Sequence, residues 1–431
     1  MLGLHFIREN KEAILKGLEK RNFKQPELIN EIIELDQHRR SLQSNLDQQL
    51  ASANKLAKEI GDLFKSGEIA KANVLKEETS NLKTKTKALQ EQLQDTEANL
   101  LDLRTQIPNI PHESVPKGNS EDDNQEIFKE GAIPTLDTGA LPHWELASKY
   151  DIIDFELGSK ITGAGFPVYK GKGARLQRAL IAYFLDKNTA AGYTEYQLPL
   201  MVNEASAFGT GQLPDKEGQM YHVTEDNLYL IPTAEVPGTN IFRDVVLNEN
   251  ELPVGITGYT PCFRREAGSY GAHVRGLNRL HQFDKVEIIR VEHPTKSYKA
   301  LDGMIDHVKD ILKELKLPYR ILRLCGGDTS FAASLTYDFE VFSTAQNRWL
   351  EISSVSNFET FQANRLKLRF KNSEGKNELA HTHYDYVIHL AAISDFSVDF
   401  LRDEKGDMVN VDEKISSSQN YSIHLKKNLN R

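Results

Sequence analysis

The chain has 431 residues, a formal net charge of -9 at pH 7, 39% hydrophobic and 27% charged residues. This composition is ordinary for a globular protein of two or three domains and supplies enough apolar material for a sizeable core. An acidic balance does not point to a nucleic-acid binder, although a basic stripe on one element of an acidic protein could still bind one. The two cysteines, Cys262 and Cys325, give no disulfide framework and no zinc pattern, which fits a reducing cytosol.

Neither a targeting segment nor a membrane segment is predicted. The N-terminal sequence MLGLHFIRENKEAILKG carries charges throughout and lacks the apolar stretch of a signal peptide. No apolar run approaches the roughly 20 residues that span a bilayer. We therefore expect a cytoplasmic protein without a membrane partner.

The first long pattern along the chain predicts a helical hairpin within residues 1–110. Apolar residues recur at steps of three and four from Leu28 to Leu63 and again from Ala70 to Leu103, with a glycine-containing break at 65–68. Two such helices pack antiparallel as a coiled-coil arm. The other faces carry many lysines: Lys55, Lys58, Lys65, Lys71, Lys76, Lys83, Lys85 and Lys87. These lysines fit either a solvated helix face or an arm that contacts phosphates.

Residues 111–142 are predicted to be a linker, because they combine a proline-rich stretch with the acidic stretch NSEDDNQE. From 143 to 382 the pattern is mixed. An amphipathic helix is predicted over 175–188, and alternating stretches predict strands at 193–201, 228–231, 287–291, 337–341 and 348–352. Strands mixed with helices predict an α+β domain built on an antiparallel sheet flanked by helices.

Three polar segments carry the candidate chemistry. The stretch 262–287, CFRREAGSYGAHVRGLNRLHQFDKVE, places arginines on both sides of a glycine-rich loop. Arginines clamp phosphate oxygens in pairs, so this stretch predicts a polyphosphate cradle, with a solvated basic hairpin as the alternative. The other two segments are Thr233-Ala234-Glu235 and Glu351-Ile352-Ser353-Ser354. A carboxylate at a strand end can accept from an amine or hold a divalent cation, although Thr-x-Glu is also an ordinary helix start.

These segments resemble one family. FRREAGSYGAHVRGLNRLHQFDKVE resembles motif 2 of the seryl-tRNA synthetases, and IPTAEVP resembles their serine-binding Thr-x-Glu stretch. GDTSFAASLTYDFEVF followed by LEISSVSNFETFQANR resembles the strands before motif 3, and GYTEYQLPLMVN resembles motif 1, which forms the class II dimer interface. The helical hairpin resembles the family's tRNA-binding arm. The motifs occur in the family's order over about residues 1–382, which chance agreement does not explain.

The resemblance implies a class II synthetase core that joins serine to ATP, giving seryl-adenylate, and then transfers the seryl group to tRNA(Ser), in a homodimer. It implies a serine site of Thr233, Glu235, Arg264 and Glu287. It implies an ATP site of Arg264, Arg265, Glu266, Phe283, Glu351, Ile352, Ser353 and Ser354. Arg264 and Glu266 would be catalytic, at the α-phosphate and the adenine respectively. Phe283 would stack on adenine, and Glu351 with Ser354 would coordinate Mg²⁺.

The resemblance ends abruptly after Thr382. There the family continues roughly as Leu-Asn-Gly-Ser and then a helix carrying the motif 3 arginine, whereas this chain reads HTHYDYVIHLAAISDFSVDFL, with Tyr386 where the pocket serine would stand. The only arginines after Arg369 are Arg402 and Arg431, neither in register with motif 3. Losing that arginine predicts aminoacylation slowed by over about a hundredfold. Loss of the motif 3 strand is also expected to uncover the core.

Residues 383–431 resemble instead a fragment of the phosphopantothenate–cysteine ligase domain, in which Asp395 and Lys414 would contact a nucleotide and its phosphates. The fragment lacks that domain's glycine-rich turn. It also contains too few strands to form a sheet that is buried on both faces. A rearranged gene, an error in the assembled sequence and a strongly diverged motif 3 are the three explanations of the join, the last being the least favoured.

Three functions remain open: a serine–tRNA ligase, a synthetase-like protein that binds tRNA or nucleotide without activating serine, and a coenzyme A pathway ligase that rests on the tail alone.

Overall fold

The structure is a computed structural model that describes residues 1–136, 141–266 and 275–389, with side chains up to Asp385. The chain divides between Ile110 and Pro111 into two compact units. The ligase-like tail beyond 389, including Asp395 and Lys414, lies outside the described residues, as does the centre of the glycine-rich loop at 267–274.

The first unit is a helical hairpin preceded by two short helices. Its helices are α1 (Leu4–Glu9), α2 (Lys11–Lys20), α3 (Leu28–Lys65) and α4 (Ile69–Thr105). The helices α3 and α4 pack against each other, and Leu42, Leu46 and Leu93 are buried between them. Gly67 makes the turn with a φ of +79°, a conformation that glycine adopts at little cost. The predicted helical hairpin is confirmed.

The second unit is an α+β domain. Its strands are β1 (Gln125–Glu130), β2 (Ile153–Asp154), β3 (Val168–Tyr169), β4 (Thr194–Glu195), β5 (Met201–Asn203), β6 (His222–Val223), β7 (Leu228–Leu230), β8 (Val246–Asn248), β9 (Val254–Phe263), β10 (Gln282–Glu292), β11 (Tyr319–Arg323), β12 (Leu335–Ser343), β13 (Arg348–Glu359), β14 (Arg369–Lys371), β15 (Asn377–Leu379) and β16 (His381–His389). Its helices are α5 (His143–Lys149), α6 (Phe155–Ile161), α7 (Lys172–Ala190), α8 (Glu204–Thr210), α9 (Glu235–Asn240), α10 (Ser297–Glu314) and α11 (Phe361–Leu366).

Eight strands form the central sheet, in the order β1-β11-β12-β13-β16-β10-β9-β4. Every neighbouring pair is antiparallel except β4 with β9. Phe184 of α7 and Val308 of α10 pack on this sheet with Val286 and Phe339, all of them buried. The predicted antiparallel sheet flanked by helices is therefore confirmed. The stretch 193–201, predicted as one strand, instead holds only β4 and the start of β5, because Pro199 lies between them.

Part of the predicted linker belongs to the sheet. Strand β1 lies inside the range 111–142 and pairs with β11. Two acidic side chains of this range have partners in the sheet: Glu126 forms an ion pair of 3.4 Å with Arg320, and Glu130 accepts from the Tyr319 hydroxyl at 2.9 Å. The linker prediction is wrong for this strand, since its acidic residues have partners about 190 residues away in sequence.

A strand also occupies the position where the family resemblance stops. Strand β16 lies between β13 and β10 and pairs with both. The expectation that loss of motif 3 uncovers the core is therefore wrong at the level of the strand. Backbone pairing needs no particular side chains, so HTHYDYVIH can fill this position.

No helix among the described residues combines the length and apolar character needed to cross a bilayer.

Candidate active site

The hairpin of β9 and β10 positions the arginine on which the prediction centres. The Arg264 amide donates to the His281 carbonyl at 2.9 Å and so extends the pairing of the two strands past Phe263. The Arg264 guanidinium lies 5.3 Å from the centre of the Phe283 ring. Such a cation–π contact holds the guanidinium over the ring, so Arg264 and the predicted adenine platform are adjacent.

The side chain of Glu266 lies next to the loop and pairs with Arg279 at 3.0 Å. Both residues line a cavity of about 750 Å³, together with Trp144 and His281 among others. Arg265 differs from Arg264: its backbone amide donates to the Gln219 carbonyl at 2.8 Å, while its side chain is exposed.

Two predicted serine-site residues, Thr233 and Glu287, are in direct contact, and the Glu287 carboxylate is buried. The Thr233 hydroxyl donates to Glu287 Oε1 at 2.7 Å, and Lys285 Nζ lies 2.7 Å from the same oxygen. Lys285 and Glu287 are each 1% exposed, so each charge depends on the other for compensation. The second oxygen, Glu287 Oε2, is buried and has no hydrogen-bond partner in the described part of the chain. It is available to an amine.

Glu235 begins α9 on the other side of Thr233, and its backbone amide donates to Thr233 Oγ1 at 3.3 Å. Its side chain is 5% exposed and accepts from Gln362 Nε2. Burial raises the pKa of Glu235 to about 7, although the Gln362 hydrogen bond acts in the opposite direction. The neighbouring Glu287 raises that pKa further.

Glu351 and Ser354 lie on β13, opposite Glu340 and Asp338 of β12. The Ser354 hydroxyl bonds to the carboxylate of Asp338, which also interacts electrostatically with Glu351. Asp338 Oδ1 is buried and without a hydrogen-bond partner among the residues that the structure describes.

Two carboxylates and a hydroxyl suit a hard cation such as Mg²⁺, which takes its remaining oxygen ligands from water and phosphates. The described residues hold no cluster of three His, Cys, Asp or Glu side chains that could bind a metal by themselves. The donor set therefore fits a cation that arrives with a nucleotide.

Ile352 and Ser353, predicted for the ATP site, direct their side chains elsewhere. Ile352 is fully buried in the core beneath the sheet. The Ser353 hydroxyl donates to Asp385 Oδ1 of β16 at 2.7 Å. Their side chains are occupied within the protein, so only their backbone groups could serve a nucleotide.

Electrostatic interactions and a hydrogen bond link five of the predicted residues: Thr233, Glu235, Arg264, Glu287 and Glu351. Arg264 acts electrostatically on both Glu235 and Glu351, and Lys285 does the same. Glu235 is also influenced by Glu287, which binds Thr233 directly. Residues from four separate segments therefore form one charged site around Arg264 and Lys285.

Sequence reasoning missed two residues at this site. Lys285 lies inside the stretch 262–287 and has no predicted role of its own, although its i, i+2 spacing from Glu287 on a strand places both side chains on one face. Tyr384 was passed over in favour of Tyr386, whose side chain lies outside the described part of the chain. The Tyr384 hydroxyl lies 2.7 Å from Thr233 Oγ1 and 2.9 Å from Glu287 Oε1.

Comparison with known proteins accounts for both units. Residues 1–111 match the family profile described as seryl-tRNA synthetase N-terminal domain, and residues 221–393 match the profile described as tRNA synthetase class II core domain (G, H, P, S and T). The serine–tRNA ligase of Salinibacter ruber is 48% identical over 383 residues, which cover 89% of this chain and 90% of that protein. The serine–tRNA ligase of Hydrogenobaculum sp. is 44% identical over 382 residues, which cover 89% and 90%.

Solved structures agree with these matches. The seryl-tRNA synthetase of Pyrococcus horikoshii, crystallised with ATP, superposes with a TM-score of 0.86 at 29% identity and covers 94% of this chain and 95% of that one. The cytoplasmic serine–tRNA ligase of Naegleria fowleri, in complex with AMP, gives a TM-score of 0.83 at 26% identity and covers 98% and 97%.

Proposed function

This chain belongs to the seryl-tRNA synthetase family, and from that premise we propose that its charged site binds ATP and serine for seryl transfer to tRNA(Ser), at a rate well below that of an intact synthetase. The observation that carries the proposal is the convergence of Thr233, Glu235 and Glu287 beside Arg264. These residues are the acceptors and the guanidinium that serine and a triphosphate need.

Activation is in-line attack of the serine carboxylate on the α-phosphorus of ATP, with pyrophosphate leaving. The protein's part is to align the two reactants and to stabilise charge that develops at phosphorus. Arg264 supplies the positive charge that offsets it, while Glu235 and Glu287 hold the ammonium of serine and Thr233 holds its hydroxyl. A site that bonds the hydroxyl rejects alanine, because its own polar groups would otherwise be left unpaired.

The nucleotide would lie along the hairpin, with its adenine between Glu266 and Phe283. Glu351 and Ser354 would hold Mg²⁺, which when bound neutralises phosphate charge. Asp338 supports this assignment, because its carboxylate interacts with both Glu351 and Ser354 and its buried Oδ1 has no hydrogen-bond partner among the described residues.

The reduced rate follows from β16. Its nine residues, HTHYDYVIH, contain no arginine that could cover adenine from the side opposite Phe283. A lost arginine contact to the transition state costs about 3 kcal/mol, which is over about a hundredfold in rate.

Serine-dependent ATP–pyrophosphate exchange tests the proposal, together with nucleotide affinity from calorimetry. We expect slow but measurable exchange, at least tenfold weaker ATP binding in Arg264→Ala, and no change in the control Arg178→Ala, which alters an exposed arginine of α7. Unchanged ATP affinity in Arg264→Ala would refute the nucleotide site. Exchange at the rate of an intact synthetase would refute the impairment, whereas ATP binding with no exchange at all would favour a non-catalytic binding protein.

We propose that α3 and α4 form the tRNA-binding arm. The eight lysines singled out in the sequence are all exposed. Each lysine that contacts a phosphate contributes roughly 0.7–0.9 to the slope of log affinity against log salt. Changing Lys55, Lys58 and Lys83 to Gln should therefore weaken tRNA binding and flatten that slope. The same change at the exposed Lys367, Lys371 and Lys376 of the second unit should do neither, and equal effects would count against the arm.

We propose that the segment resembling motif 1 forms a homodimer interface in the cytoplasm. Tyr196, Leu200 and Met201 are 40%, 37% and 48% exposed, an apolar group that a second copy would cover. Sedimentation should give a dimer, and Met201→Glu should shift it toward monomer. A monomeric parent protein would contradict the interface, and recovery in a membrane fraction would contradict the location.

A further inference from the structure

Strand β16 brings a tyrosine to the face of the sheet that carries the site. In the pairing with β10, Tyr384 lies opposite Ile289 and Tyr386 opposite Glu287. Paired residues project to the same face, and side chains two positions apart on a strand share that face. Tyr384 therefore extends over the face that carries Lys285 and Glu287. It is 7% exposed.

The Tyr384 hydroxyl reaches the groups assigned to serine. It donates to Glu287 Oε1 at 2.9 Å, lies 2.7 Å from Thr233 Oγ1 and accepts from Lys285 Nζ at 2.8 Å. A phenol has one hydrogen to donate, and with that hydrogen directed at Glu287 its oxygen still accepts from Lys285. Thr233 and Glu287, two of the groups contacted, are the ones that the proposed serine site offers to the amino acid.

The cavity and the burial of these residues both indicate that the predicted serine site is filled by side chains. The lining of the 750 Å³ cavity beside Glu266 includes none of Thr233, Glu235 and Glu287. Thr233, Glu235, Glu287 and Tyr384 are instead each less than a tenth exposed. Burial, together with the nearby carboxylates of Glu287 and Glu235, raises the pKa of Tyr384 well above its usual value, so the phenol stays protonated and remains a donor.

We propose that Tyr384 is a specificity-determining residue that closes the amino acid pocket, its phenol hydroxyl taking the place of the hydroxyl of serine. This inference rests on the proposed function, because it assumes that Thr233 and Glu287 form the serine site. Serine binds only when the phenol leaves, so the chain binds ATP with its amino acid pocket filled by its own side chain. Glu287 Oε2, which has no hydrogen-bond partner among the residues described, is the acceptor that a serine ammonium gains once the ring has moved.

The test compares the full chain with Tyr384→Gly and Tyr384→Phe. Serine affinity is measured by calorimetry in the presence of α,β-methylene ATP, which binds without reacting. We expect Tyr384→Gly to bind serine at least tenfold more tightly than the parent. Tyr384→Phe should stay within about threefold of the parent, because its ring still fills the pocket although the hydroxyl is lost.

The outcomes separate this inference from the proposed function. If the parent binds serine as tightly as Tyr384→Gly, the pocket is open and the inference fails. The inference also fails if Tyr384→Gly gains no serine affinity although it binds the nucleotide normally. Weaker nucleotide binding in Arg264→Ala would show, in that case, that the nucleotide site itself is as proposed. If neither the parent nor the variants bind the nucleotide, the proposed function fails first. Should Tyr384→Gly lose its near-ultraviolet circular dichroism, Tyr384→Asn replaces it, with the same expected gain, because asparagine is smaller and keeps a polar group near Lys285.

Discussion

Strands β10 and β16 are antiparallel neighbours of similar length in one sheet, yet they place different kinds of side chain on its two faces. In β10, Lys285 and Glu287 face the site and form a buried ion pair, while Val286 and Ile288 face the core. Polar and apolar residues alternate with the pleat, as expected for a strand with one functional face.

In β16 the alternation carries polar groups to both faces. Tyr384 faces the site, and the next residue, Asp385, lies opposite Ile288 and Val355, two members of the apolar core. Asp385 is fully buried, and its Oδ2 has no hydrogen-bond partner within the described ranges. Backbone pairing therefore preserves the architecture of the sheet while the chemistry of both faces changes. Four substitutions sharpen this contrast.

The largest effect is expected on β10. Glu287→Ala removes the carboxylate from the buried Lys285 ammonium, so we expect a loss of about 3–5 kcal/mol in the free energy of unfolding. Urea denaturation followed by circular dichroism measures it. The matched control is Glu374→Ala. Glu374 forms a 2.7 Å ion pair with Lys376 on the surface, and losing this exposed pair should cost at most about 1 kcal/mol. Equal losses would show that the buried pair is no more important than a surface pair.

A smaller, pH-dependent effect is expected at Glu235. Its pKa is about 7 in the folded protein against 4.5 for the free side chain, so folding favours the protonated form. Its contribution to stability is complete below pH 4.5 and is lost as pH rises to 7, in total on the order of 3 kcal/mol. Glu235→Gln should remove this part of the pH dependence, as seen in urea midpoints between pH 5 and 8. The exposed Glu217→Gln should leave the profile as in the parent, and a parent-like profile for Glu235→Gln would reject the assignment.

The charge that β16 directs into the core should itself cost stability. Burial raises the pKa of Asp385 well above its usual value, so the parent loses stability as pH rises from about 4 toward that raised pKa. Asp385→Asn cannot ionise, and we expect it to be more stable than the parent by about 1–3 kcal/mol at pH 8 and by less at pH 5. Thermal melts at the two pH values measure the difference. A variant less stable at pH 8 would mean that the carboxylate has a stabilising partner.

The smallest effect concerns Ser353, whose hydroxyl donates to Asp385. Ser353→Ala removes the donor to Asp385 Oδ1, which should cost about 1 kcal/mol. In an Asp385→Ala background the same change should cost less than half as much, because the acceptor is already gone. A double-mutant cycle from urea denaturation gives the coupling, and additive losses would contradict it.

The sequence is sufficient to predict the elements that depend on residues close together in the chain. Apolar steps of three and four gave α3 and α4, and the proximity of Thr233 to Glu287 followed from motifs with known places in the family fold. Strand β1 was missed because its stability comes from Arg320 and Tyr319, which are far away in sequence. A local reading treats such acidic residues as solvated.

The site was harder to predict where side-chain reach matters more than strand position. The family resemblance puts Tyr386 at the pocket serine, whereas the hydroxyl found in the cluster belongs to Tyr384, two residues earlier on β16. A tyrosine extends its polar atom far from its Cα, so its position in the alignment does not give the position of its hydroxyl. Ile352 and Ser353 show the reverse: they lie beside Glu351 in sequence, yet their side chains contact other groups.

The strand order has a consequence for how the protein is made. Strand β16 starts at His381, long after β10 ends at Glu292, but it is inserted between β10 and β13. The ribosome makes the chain from its N-terminus. Strands β10 and β13 therefore each have an unpaired edge until β16 has left the exit tunnel. Exposed edges invite pairing with other chains. Nascent chains that stall or terminate before His381 therefore leave these two edges of β10 and β13 open to pairing with other chains.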